Sequence, residues 1–158
     1  MKEIKGSVTS PKGFSATGFA AGVKKSGYDL ALLASEVPAV AAACFTSNVV
    51  KAASVLRNQE VLAAGGKISG VAVNSGNANA CTGEAGKQAN ADMAAALAKE
   101  LGVAPEQVLT ASTGVIGSPF PIVTVAKGIA AAFPSMGTAE ENGHLAARAI
   151  MTTDTYPK

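Results

Sequence analysis

Two apolar, strand-like runs each empty into a turn of Gly, Asn, Ser and Thr, and a helical pattern follows each turn. The first run is Lys67 to Val73, followed by Asn74-Ser75-Gly76-Asn77-Ala78-Asn79-Ala80-Cys81-Thr82-Gly83 and a helix from about Glu84 to Leu101. The second is Gln107 to Ala111, followed by Ser112-Thr113-Gly114-Val115-Ile116-Gly117 and a helix opened by Pro121 and running to about Phe133. Proline suits a first helical turn, where its missing N–H has no intrahelical partner to lose. Strands alternating with helices indicate α/β layers. Each strand-to-helix junction also presents backbone N–H groups that can bind negative charge.

The remaining segments fit the same scheme. Met93, Leu97 and Leu101 recur at helical spacing, and Gly102 stands where a helix-terminating glycine belongs. The first 27 residues read as loop with room for a short strand. Tyr28 to Ala34 reads as a strand ended by Ser35-Glu36 and Pro38, and Ala39 to Thr46 as a second strand favoured by its Cys, Val and Phe. Asn48 is placed to cap a helix from about Val50 to Ala64, with Val55, Leu56 and Leu62 as its apolar face and Gly65-Gly66 as its stop. Thr138-Ala139-Glu140-Glu141 has the capping-box pattern for a last helix with Leu145, Ala149 and Ile150 facing inward. No repeat or linker divides residues 1–158, so a single domain is expected.

Composition narrows the function classes. Hydrophobic residues make up 48% and charged residues 15%, too apolar for disorder. Much of the apolar share is alanine, and there is no Trp. Small side chains bury little area each, so part of the stability is expected to come from contact with another chain or segment. The net charge is +2, and the basic residues are scattered, with Lys24-Lys25 the longest run. That argues against a nucleic-acid partner. Cys44 and Cys81 do not make a disulfide framework. Met1-Lys2-Glu3-Ile4-Lys5-Gly6 lacks the apolar core of a signal peptide, and Val37 to Phe45 contains Pro38 and is too short to span a bilayer. A reducing cytoplasm is the expected compartment.

The two turns are the candidates for chemistry. Three Asn and two Gly within Asn74–Gly83 supply αL-tolerant positions and amides that bond local backbone. Two readings stand: a well-bonded structural turn, or a loop shaping a polar pocket. In Ser112–Gly117, a hydroxyl followed by glycine lets a side-chain O–H and a backbone N–H point the same way, and Gly114 permits close approach by a ligand. An ordinary glycine turn is the competing reading. Gly86-Lys87-Gln88 misses the phosphate loop, which requires Ser or Thr after the lysine and glycine where Cys81 stands. His144 is the single histidine and reads as a surface residue, so no ordinary histidine metal site can form. Cys81 reads as a small buried thiol. The residues present make no complete catalytic set.

Asn74 to Gly83, with Gly86 following, resembles the Asn-(Ala/Ser)-Gly-Asn-Ala-Asn-Ala-Cys-Thr-Gly signature of the ornithine acetyltransferase family, also called glutamate N-acetyltransferase. Ser112-Thr113-Gly114-Val115-Ile116-Gly117 resembles the family's oxyanion segment, and Ala149-Ile150-Met151-Thr152-Thr153-Asp154-Thr155 its Met-Thr-Thr-Asp-Thr segment. Ser35 to Pro38 and Phe45 to Ala53 are similar as well, so the likeness runs from about Gly13 to Lys158.

The resemblance implies a precursor that cuts itself in two, this chain being the amino-terminal (alpha) product. A threonine opening the second (beta) chain takes acetyl from N-acetylornithine and passes it to glutamate in arginine biosynthesis. Some members also accept acetyl-CoA as donor. It further implies a layered α-β-β-α sandwich shared with self-processing N-terminal-nucleophile enzymes, completed by the beta chain in an α2β2 assembly. No metal or tightly bound organic cofactor is implied. By the same carry-over, the Thr113 hydroxyl and the Gly114 N–H form the oxyanion hole. A threonine of the Thr-Thr-Asp-Thr segment contacts substrate, Thr152 first and Thr153 second. Family alpha chains continue past the position of Lys158 to the cleavage point, and the nucleophile and a substrate-contacting lysine belong to that stretch. The competing classes are a related self-processing amidohydrolase or aminopeptidase, separated by acceptor choice, and a non-catalytic assembly partner.

Overall fold

A computed structural model describes residues 5–157; Met1–Ile4, which belong to the segment weighed above as a signal peptide, and Lys158 lie outside the described residues. One sheet, ordered β1-β2-β3-β4, is built from β1 (Phe14–Phe19), β2 (Leu30–Ala39), β3 (Ile68–Asn77) and β4 (Val108–Val115). The helices are α1 (Ala53–Ala63), α2 (Gly83–Leu101), α3 (Ile122–Ala132) and α4 (Glu140–Ala149). β1–β2 and β2–β3 are antiparallel, whereas β3–β4 is parallel and joined through α2. A parallel pair requires such a crossover, so the run–turn–helix pattern of the sequence translates directly into this part of the topology.

Alternation along the strands assigns the two faces. Leu30, Leu32 and Ala72 meet Met93 and Leu97 of α2 and Val125 and Ile129 of α3 in one fully buried core. Ala16 and Ala31 point the other way and pack on Ala146 and Ala149 of α4. That second layer is thin because alanine and glycine bring α4 close to the sheet. A Cβ at Gly18 of β1 would collide with the Leu145 carbonyl, so only glycine fits there. α4 covers the β1–β2 half of this face, and Val71, Val73, Leu109 and Ala111 on the β3–β4 half retain exposure.

β4 is an edge strand, and α1 closes that edge. Asn58 donates from Nδ2 to the Thr110 carbonyl at 2.8 Å and accepts the Thr110 N–H at Oδ1 at 3.2 Å, as a neighbouring strand would. Arg57 donates to the Val108 carbonyl at 2.7 Å and the Pro105 carbonyl at 2.6 Å. Exposed edges invite pairing with other chains, and here side chains occupy the ladder positions.

Several expected boundaries move. β2 does not stop at Ala34 but reaches Ala39, with a register irregularity between Ala34 and Ala39 that accommodates Pro38. The expected second strand from Ala39 to Thr46 does not form: Ala39 is the last residue of β2, and residues 40–46 have no regular structure. Asn48 does not cap α1: its Oδ1 accepts the Val50 N–H at 2.9 Å in a local turn, and the helix begins at Ala53 with Ala52 at its cap. α4 has Ala139 at its cap and no side-chain cap bond, so Thr138 does not play the capping-box role. Ile150 is 44% exposed rather than inward-facing. Gly102 ends α2 in the left-handed conformation, at φ 68°, as its position predicts.

Candidate active site at the ends of β3 and β4

β3 and β4 run in the same direction and finish together, Asn77 pairing with Val115. The Ser112-Thr113-Gly114 sequence therefore lies within β4 rather than in a turn after it. Parallel pairing with β3 carries the strand past Ala111, where local composition ended it. Thr113 pairs with Ser75 and Gly114 with Gly76. Thr113 is half-buried and Gly114 exposed, so neither is turned into the core. Both glycines have left-handed φ, 102° at Gly76 and 131° at Gly114. A Cβ on Gly114 would sit 2.6 Å from the Gly76 carbonyl oxygen and 2.7 Å from the Asn77 nitrogen, so the two strand ends touch backbone to backbone.

The Asn-rich segment bonds mostly to itself. Asn74 donates to the Asn77 carbonyl at 2.9 Å, Asn77 to the Ala78 carbonyl at 3.0 Å and Asn79 to the Gly86 carbonyl at 2.8 Å, while Thr82 donates to Asn79 Oδ1 at 2.6 Å. Asn74 and Asn79 are fully buried. These bonds favour the structural-turn reading of the two left open by composition. β3 also extends through Asn77, so the first half of the presumed turn is strand. Cys81 is exposed at φ 57°, which corrects the expectation of a buried thiol: the tight turn into α2 pushes it outward.

Thr152 and Thr153 follow α4 and are both exposed, and the Thr152 N–H donates to Asp154 Oδ2 at 3.2 Å. Although they lie far from Thr113 in sequence, two tertiary bonds bring their segment to the end of β3. The Ser75 hydroxyl donates to the Ala149 carbonyl at 2.5 Å, and Lys24 Nζ donates to the Met151 carbonyl at 2.6 Å. Lys24 also donates to the Tyr28 carbonyl at 3.0 Å. The loop that carries Lys24 is organised by Asp29, a fully buried carboxylate that accepts the N–H groups of Ala21 at 2.6 Å, Gly22 at 3.1 Å and Lys24 at 2.8 Å. Partial burial lowers the Lys24 pKa, and the nearby Asp29 charge opposes that shift.

Sequence reasoning missed Lys24, Asp29 and Ser75. Lys24 read only as part of a scattered basic pair, and nothing local marks a lysine that will reach a carbonyl 127 residues away. A buried Asp at the start of a strand after a glycine-rich loop was the available signal, since such a loop needs its N–H groups satisfied. His144 lies on α4 beside Glu140 at 3.2 Å. Among the described residues, no cluster of three or more His, Cys, Asp or Glu is placed to hold a metal ion. Among them too, no helix is long and apolar enough to cross a membrane.

Two solved structures share this architecture closely. Ornithine acetyltransferase from Mycobacterium tuberculosis, complexed with ornithine, superposes with a TM-score of 0.91 at 44% identity, over 96% of this chain and 82% of that one. Arginine biosynthesis bifunctional protein ArgJ from Bacillus halodurans superposes with a TM-score of 0.88 at 41% identity, over 95% and 78%. Residues 15–158 match the ArgJ family, and the chain belongs to it. The curated arginine biosynthesis bifunctional protein ArgJ of Symbiobacterium thermophilum is 49% identical over all of this chain, and that of Caldanaerobacter subterraneus 48%. The chain spans 39% and 38% of the length of these two relatives.

Proposed function

We propose that this chain is the amino-terminal part of a glutamate N-acetyltransferase of arginine biosynthesis that moves acetyl from N-acetylornithine to glutamate. The observation that carries the reading is the meeting of three segments at one end of the sheet. Thr113-Gly114 is accessible at the end of β4, Ser75 is its register partner on β3, and Ser75 binds the carbonyl of Ala149 just before Met151-Thr152-Thr153.

In this reading the nucleophile is a threonine opening a downstream chain of the same precursor. Its hydroxyl oxygen attacks the acetyl carbonyl while its own α-amine takes the proton, so no histidine is required. Negative charge develops on the carbonyl oxygen, where the Thr113 hydroxyl and the Gly114 N–H donate to it. Fixed donors of this kind are typically worth about 3–4 kcal/mol each. Collapse breaks the amide bond, the leaving ornithine amine receives the proton, and an acetyl-threonine ester remains. The glutamate amine then attacks the ester through the same oxyanion geometry, forming N-acetylglutamate and restoring the threonine. A threonine of the Thr-Thr-Asp-Thr segment contacts the substrate, with Thr152 the first candidate and Thr153 the second. Acetyl-CoA is an alternative donor for the first half, and no metal or organic cofactor takes part.

The partner in this reading is the downstream beta chain, in an α2β2 assembly. The half-bare sheet face around Val71 and Leu109 supports it, because a second sheet laid there completes an α-β-β-α sandwich. The test uses the full-length precursor with N-acetylornithine labelled in the acetyl group and unlabelled glutamate. Label is expected in N-acetylglutamate. Label released only as acetate, with glutamate unmodified, would replace this reading with a self-processing amidohydrolase.

A further inference from the structure

Beyond α4 the described residues form no helix or strand, and Thr152, Thr153, Asp154 and Thr155 are all exposed. A segment of this kind cannot hold a substrate in one orientation unless something outside it fixes its backbone. The structure supplies that fixation from the opposite end of the sequence. We propose that Lys24 is a positioning residue for substrate recognition: its ammonium ties the Met151 carbonyl to the Asp29-ordered loop and so sets the orientation of Thr152 and Thr153.

The steps are all visible in the bonding. Asp29 folds residues 21–24 around its carboxylate with three backbone N–H groups. The Asp29 carbonyl accepts the Ser75 N–H at 2.8 Å, which anchors this loop to the β3 residue paired with Thr113. The Lys24 stem lies over Gly76, whose missing Cβ would come within 2.8 Å of Lys24 Cγ. From there Nζ spans the carbonyls of Tyr28 and Met151, at 3.0 and 2.6 Å. Bonds from an ammonium are shorter and stronger than neutral ones, and an ammonium has three protons to give. One continuous path thus joins Thr113, Ser75, Asp29, Lys24 and Met151. The loop between β1 and β2 is therefore part of the same frame as the β4 end.

The inference rests on the proposed acetyl transfer only for its kinetic consequence; the tether itself is a separate physical claim. The experiment compares the full two-chain enzyme with Lys24→Met, which keeps the apolar stem, and Lys24→Arg, which keeps the charge. In Lys24→Met, KM for N-acetylornithine is expected to rise roughly tenfold with kcat within about twofold, because uniform substrate binding is lost rather than transition-state stabilisation. Lys24→Arg is expected to recover most of that loss. Amide hydrogen exchange across residues 151–155 is expected to quicken in Lys24→Met while the α2 amides stay protected. Unchanged exchange in 151–155 overturns the tether. Quickened exchange with unchanged KM, or a fall confined to kcat, overturns the positioning role. Lys24→Arg behaving like Lys24→Met does the same. If the wild-type enzyme transfers no acetyl to glutamate, the proposed function falls, and the exchange measurement still decides whether Lys24 orders the segment.

Discussion

Gly76 and Gly114 lie opposite one another across the parallel pair β3–β4, both at left-handed φ, with the place for a Gly114 Cβ 2.6 Å from the Gly76 carbonyl oxygen. This contact lets two strands end side by side at the point where the candidate oxyanion donors sit. It also makes Gly114 a position with no room for a side chain.

Gly114→Ala therefore meets two penalties: a left-handed backbone that L side chains rarely adopt, and a methyl group against fixed backbone. A conformation of that kind costs roughly 1–3 kcal/mol by itself, and the collision adds to it. Urea denaturation of the full enzyme should show a loss of about 2 kcal/mol or more, together with loss of acetyl transfer. A variant as stable as the wild type would mean that the two strand ends stand further apart than described.

Thr113→Ala removes one donor and leaves the β4 backbone untouched. The expected result is a fall in turnover on N-acetylornithine of roughly 10²–10³-fold. The urea midpoint should stay close to that of the wild type, since Thr113 is only half-buried. Steady-state kinetics decide the matter, and unchanged turnover would remove Thr113 from the oxyanion role.

Asn58→Ala tests the edge rather than the site. The substitution deletes a donor and an acceptor that together complete the open side of Thr110. Hydrogen bonds of this sort contribute about 1 kcal/mol each, and partly buried groups left unpaired cost more. A destabilisation of about 1–3 kcal/mol is expected by urea denaturation, with kcat unaffected. No change in stability would show that water replaces the Asn58 amide without loss.

Legibility in the sequence followed the range of the interaction that decides each feature. α2 was read almost to the residue, because Met93, Leu97 and Leu101 fall on one face and Gly102 terminates locally. The strand ends at β3 and β4 were misread because pairing between the strands, not the composition of either, carries them to Asn77 and Val115. Asn48 has the chemistry of a helix cap and spends it on a turn of its own, and of the strand-like residues Ala39 to Thr46 only Ala39 is in a strand, as the last residue of β2. Cys81 has the usual composition of a buried thiol, yet the turn that carries it faces outward.

Local chemistry alone was enough for the α/β alternation, the glycine stops and the motifs that carry the family resemblance, since each is written in residues a few positions apart. Tertiary structure alone decided that β4 continues through Gly114, that Asn58 seals its edge, and that Lys24 holds the carbonyl of Met151. Those outcomes depend on which surfaces the packed sheet brings together. A hydrogen bond between groups 127 residues apart in the chain leaves no trace in the neighbourhood of either.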